Sequence, residues 1–278
     1  LAIALTKGNN PDWPRALQAA QHALQLHYET AELRLAMATA EYGRATLFRG
    51  ADYLRRAEDA ALEARRYLDR ALDLSTGDPQ LTHQATRLLT RNLIEAKDYR
   101  QAVKALDKTA PQYPDDAEIQ QLYATALIEQ GDRDEDAFAA WARVWNLTGA
   151  QEVPLDANRY AHIANGFDMR VANLAKNAGQ LAGGVSTGSI ERGQALLLLQ
   201  RLRRELNVAE TAIKVIAPPP GRIGGSAHWQ RVFAIDLMNQ ALENYQAFIE
   251  TGRDMNLTRA ADLHRQALAQ INAARAAH

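Results

Sequence analysis

Cysteine is absent from the 278 residues of the chain, which excludes disulfides, thiolate metal sites and cysteine nucleophiles. Aromatic residues are scarce at 6%, and glycine and proline number only 16 and 9. Sheets draw on aromatic and β-branched residues and loops on glycine and proline, so little of the chain is composed for either. No run of eighteen apolar residues occurs, so none is long enough to cross a bilayer as a helix. An excess of charge of one sign is also missing. A formal charge of −1 supplies no global field toward nucleic acid or a membrane surface. Lysine is rare as well, with six against 26 arginines, which reads as the codon bias of a GC-rich bacterial genome rather than a phosphate-binding task.

What the chain does have is alanine and leucine, the bulk of a 47% hydrophobic fraction. Both are among the best helix formers, and the composition predicts an all-α protein. The apolar opening "LAIAL", beginning at Leu1, reads as the tail of a longer helix, a removed leader or an anchor. An extracytoplasmic location, periplasmic or membrane-anchored through a segment before Leu1, is expected over a cytoplasmic one.

The spacing of small residues carries more information. In "DYRQAVKALDKTAPQYPDD", residues 98–116, Ala102 is followed four and seven positions on by Leu106 and Thr109, and then by Pro114. The same spacing recurs at Ala16, Ala20 and Ala23, at Ala64, Leu68 and Ala71, and at Ala137, Trp141 and Val144. Each set lies on one face of a helix. The leading alanines stand 48, 38 and 35 residues apart. This pattern resembles the tetratricopeptide repeat, a helix–turn–helix unit of about 34 residues. The register is closest between Thr82 and Gly149. The stretch from Ala31 to Leu72 is too long for one unit and predicts two extended helices with Gly50 near their turn. The resemblance implies a TPR-like α-solenoid in which each helical pair buries its apolar face on the next.

The Gly/Ser-rich "GQLAGGVSTG", residues 179–188, reads as a linker. It predicts a repeat domain over 1–178 and, over 189–278, a C-terminal antiparallel bundle of three helices. Ser189 is the expected N-cap of the first of these, and the prolines and glycines at 218–225 the connection to the second.

No catalytic constellation is found. His22 and His27 are five residues apart and face different sides of a helix, and the remaining histidines lack a second ligand at i+3 or i+4. "GGVSTGS" has no strand before it and no lysine after it, so it is not a P-loop. The carboxylates at Asp115 and Asp116, and from Asp132 to Asp136, sit at helix starts, where they complement the helix dipole. Trp141 and Trp145, four apart, are expected to stack in the core. No enzyme, metal or cofactor is expected.

The resemblance implies a scaffold that holds a partner protein or peptide on the concave face lined by the first helix of each pair, as one subunit of a larger complex. From the register that face includes Gln84, Arg87, Arg91 and Ile94, then Gln121, Thr125 and Ile128, with Arg159 and His162 continuing the row. Arg87 and Arg91 emerge one turn apart. They suit either the carboxylate of Glu118 in the next unit or an acidic segment of the partner. The alternative is a ligand-binding protein that encloses a small solute or signalling peptide, for which a closed aromatic lining is expected. A subunit that only bridges neighbours would instead show apolar side chains on its outer face or terminal bundle.

Overall fold

The computed structural model describes residues 1–6, 11–149, 156–216, 218 and 222–277. Helix occupies 84% of the described residues, and no strand occurs among them. The chain forms two compact units, Leu1–Ala126 and Leu127–His278. The first contains α1 (Ala2–Leu5), α2 (Trp13–Gln25), α3 (Ala31–Gly50), α4 (Leu54–Leu74), α5 (Pro79–Glu95), α6 (Tyr99–Thr109) and most of α7 (Ala117–Gln130). The second contains the end of α7 and then α8 (Asp134–Thr148), α9 (Ala157–Ser186), α10 (Arg192–Val215), α11 (Arg222–Thr251) and α12 (Asp254–Ala276). Of the connection expected at 218–225, residues 219–221 lie outside the described residues.

Aspartates start many of these helices. Asp12, Asp78, Asp98 and Asp156 each accept a hydrogen bond from a backbone N–H in the first turn of α2, α5, α6 and α9, and Asp116 accepts from Glu118 and Ile119 of α7. These satisfy donors that the helix itself leaves open. The turns within pairs use left-handed residues. Lys97 (φ 60°) lies between α5 and α6, and Gly131 (φ 75°), 34 residues later, between α7 and α8. A side chain at 131 would also meet the His162 ring at 3.0 Å, so the position favours glycine both by its backbone and by its space.

In the first unit α2 packs on α3 through Ala16, Leu17 and Ala20 against Leu33, Met37 and Ala40. Between them, Glu29 accepts from Arg70 at 3.0 Å and from Arg34 at 2.8 Å. These two guanidiniums hold its carboxyl down at about 2. The long α3 and α4 pair as a hairpin, as their sequence predicts. Ala57, Ala60, Ala64, Leu68 and Ala71 form the buried stripe of α4. On α6, Ala102 and Leu106 are both fully buried. Leu106 clusters with Ala110 and Ile119, and burying such a leucine contributes roughly 1.5–3 kcal/mol. Replacing Ala102 by leucine overfills this crossing and is expected to cost about 1–3 kcal/mol in urea denaturation. A neutral result would place Ala102 away from a helix crossing.

The linker expected at 179–188 is helical through Ser186, as the last turns of α9. Two of its glycines, Gly179 and Gly184, serve close approach. Gly179 lies against His264 of α12, and a Cβ at Gly184 would come within 2.6 Å of Ile190 Cγ1. The chain reverses at Gly188 (φ 73°). Ser189 is not the N-cap: Glu191 is, without a side-chain cap bond, while the Ser189 hydroxyl donates back to the Gly184 carbonyl. The division into units accordingly falls at 126/127 rather than at 179–188. In the second unit, α10, α11 and α12 pack with α9 as a fourth helix.

Candidate protein-binding face

In the first unit α5 and α7 are fastened at their starts. His83 Nε2 lies 2.7 Å from Asp116 Oδ2, and the Tyr113 hydroxyl donates to the Pro79 carbonyl at 2.9 Å. This brings Gln84, Arg87 and Arg91 of α5 beside Glu118, Gln121 and Thr125 of α7. The two triplets have the same i, i+3, i+7 spacing and are offset by 34 residues. Gln84, Arg91 and Gln121 are exposed, and Arg87, Glu118 and Thr125 half-buried.

Arg87 and Arg91 both pair with Glu118. The two guanidiniums are therefore engaged within the unit, and the three groups together carry one net positive charge. Among the described residues, the side chains of Gln84, Gln121 and Thr125 have no intramolecular partner. Ile128 does not line this face: it is 6% exposed and belongs to the interior. Ile94 is half-buried.

Toward α3 the face continues through a group that periodicity did not reveal. The Tyr42 hydroxyl and the Arg49 guanidinium both donate to Glu95. Burial, and then the hydrogen bond to Glu95, push the Tyr42 phenol well above its ordinary pKa. No local signal links residues 53 apart; only the packing of α3 on α5 does.

Arg159, in the second unit, donates to Glu129 at 2.7 Å and lies 3.5 Å from Asp156. His162, on the same helix, bonds Asp134 at 2.8 Å. Trp141 and Trp145 pack together in the core, with centroids 5.0 Å apart but ring planes tilted by 59° rather than stacked, and both are buried.

The second unit also encloses a charge cluster. The Arg231 guanidinium of α11 donates from Nε and Nη2 to the two oxygens of Asp168 of α9, each at 2.9 Å, and both side chains are 0% exposed. Arg275 of α12 reaches the same carboxylate at 3.4 Å. Burial pushes the Asp168 carboxyl up, while Arg231 and then Arg275 pull it down. Beside them His228 Nδ1 lies 3.2 Å from the Tyr160 hydroxyl. Burial, and then the Arg231 charge, lower the His228 pKa and favour the neutral ring. Desolvated charges of this kind depend on each other, because removing one partner leaves the other buried and uncompensated. Among the described residues, no three His, Asp or Glu side chains are grouped to hold a metal.

A family model described as Tetratricopeptide repeat matches residues 55–126 and 93–135. These residues run from α4 through the first turn of α8, and the chain is accordingly a TPR-like helical repeat protein over that region. Repeats of this family suggest a protein–protein interaction scaffold and are typically non-catalytic. No curated protein and no solved structure matches the chain.

Proposed function

We propose that the chain is a non-catalytic scaffold, one subunit of a larger complex, that holds a partner protein or peptide on the face of α5 and α7. Gln84, Arg87, Arg91, Gln121 and Thr125 are its contact residues, and Arg159 is a separate contact in the second unit. The observation that carries this reading is the repeated triplet: three amide or hydroxyl side chains without intramolecular partners surround two arginines that share one carboxylate. Two guanidiniums offer more donors than Glu118 accepts, so a partner's acidic segment is the ligand of best charge fit. A small-solute pocket would need a closed aromatic lining, and this face presents Gln, Arg and Thr instead.

Removing the arginines would strand Glu118, so the test is made at the glutamines. Gln84→Glu/Gln121→Glu touches only exposed, unpartnered side chains and should change stability by no more than about 0.5 kcal/mol. Affinity capture with the intact chain and this variant is expected to recover a partner whose affinity for the variant, by calorimetry, is weaker by on the order of 2 kcal/mol. Its binding to the parent should also weaken with added salt. Equal recovery of every bound protein by parent and variant would refute the reading.

A further inference from the structure

The α3/α4 hairpin is longer than the α5/α6 hairpin beside it. Arg65 of α4 donates to the Asn92 carbonyl oxygen (Oδ1) at 2.8 Å and lies 3.7 Å from Asp98, the N-cap of α6. The Asn92 amide in turn donates to the Ala61 carbonyl at 3.1 Å. Residues 92–98 are therefore level with residues 61–65 of α4, and the turns of α4 from Leu54 onward project past the start of α6. That overhang is roughly 16 Å of helix at 1.5 Å per residue.

The projecting turns keep an apolar face. Leu54, Ala57, Ala61 and Leu62 stand at helical spacing and, with Asn92, Glu95, Ala96, Lys97 and Arg49, line a notch of about 480 Å³. Leu54 is 62% and Leu62 49% exposed. Between them the half-buried Ala61 leaves the floor shallow enough for a backbone to approach, with Ala57 buried beneath. Two charged side chains of the lining, Glu58 and Lys97, have no partner among the described residues, whereas Arg49 and Arg65 are paired. Lys97 is held in place by its left-handed turn (φ 60°).

We propose that the notch receives a short amphipathic helix from a partner protein, laid along α4 in line with α6. Its apolar side chains rest on Leu54 and Leu62, a basic residue faces Glu58, and an acidic last turn meets Lys97. Three observations select this occupant. The overhang has the length of about three helical turns. The exposed leucines lie on one stripe, as a helix-in-groove contact needs. The direction follows from charge: a helix running with α6 brings its negative C-terminal end to the Lys97 ammonium. This surface shares none of Gln84, Arg87, Arg91, Gln121 and Thr125 with the α5–α7 face, meeting its α3 edge only at the Arg49–Glu95 pair, and stands or falls independently of it.

The probe is a blocked, stapled helical peptide of about twelve residues, with leucines one turn apart, a flanking lysine and a glutamate in its last turn. Titrated into the isotope-labelled intact chain, it is expected to shift amide resonances of 54–65 and 92–98. Leu62→Lys, at an exposed position that folding does not require, should weaken binding about tenfold or more with the melting temperature unchanged. Glu58→Lys should weaken it severalfold, and a peptide with its lysine changed to glutamate should restore it. The proposal is overturned if millimolar peptide gives no shifts there, if Leu62→Lys binds equally well, or if the shifts fall on Gln84 and Gln121. It is also overturned if sedimentation shows the chain alone dimerising until Leu62→Lys is introduced, since the occupant is then a second copy.

Discussion

Replacing Arg231 by methionine is expected to lower the stability of the second unit by about 3–5 kcal/mol, measured by urea denaturation. The variant leaves the Asp168 carboxylate fully buried with only Arg275, itself 42% exposed, as a cationic partner. The missing hydrogen bonds cannot be replaced by water at a site with no exposure. The double variant Asp168→Leu/Arg231→Met removes both charges and returns Arg275 to solvent. It is expected to recover most of the loss, because an apolar pair of similar volume avoids the desolvation that the ions suffer. If the double variant is as unstable as the single one, packing rather than charge explains the cluster.

Gly166→Ala is expected to destabilise by about 1–3 kcal/mol, although alanine is the better helix former by about 1 kcal/mol. Gly166 lies where α9 crosses α8. A Cβ there would overlap the Asp134 carbonyl oxygen and come within 2.7 Å of Phe138 Cβ. Neither obstacle is the mobile end of a side chain, so α8 as a whole has to move. Phe138, in edge contact with Phe167 at 5.7 Å, would move with it. Gly183→Ala on the same helix is the control. Nothing lies within 4 Å of a Cβ at that position, and the substitution should stabilise by up to about 1 kcal/mol. Equal effects at the two positions would show that helix propensity, not the crossing, sets the outcome at 166.

The architecture was legible where each signal is local. Alanines followed by apolar residues four and seven on mark helix crossings, and Ala16, Ala64, Ala102 and Ala137 are all buried. The excess length between Ala31 and Leu72 announced two long helices. Glycine was the misleading signal. In isolation it reads as a breaker, and only the neighbours Ile190 and His264 reveal that Gly184 and Gly179 are contact residues. Of the candidate face, the spacing of Gln84, Arg87 and Arg91 placed them on one side of α5. The engagement of the two arginines by Glu118 was visible only as one of two options, since the carboxylate's position depends on another helix. The Asp168 cluster had no sequence signature at all, because each of its arginines lies 63 residues or more from the carboxylate it serves.

That separation sets an order on how the protein is made. Contacts within the repeats of the first unit join helices adjacent in sequence, so they form as soon as each pair leaves the ribosome. Asp168 is synthesised long before Arg231 and Arg275, and until both have emerged its carboxylate can be satisfied only by water. The interior of the second unit therefore stays open during elongation and closes late, when α11 and α12 arrive. The interval between those events is when nascent chains are most exposed to chaperones and proteases.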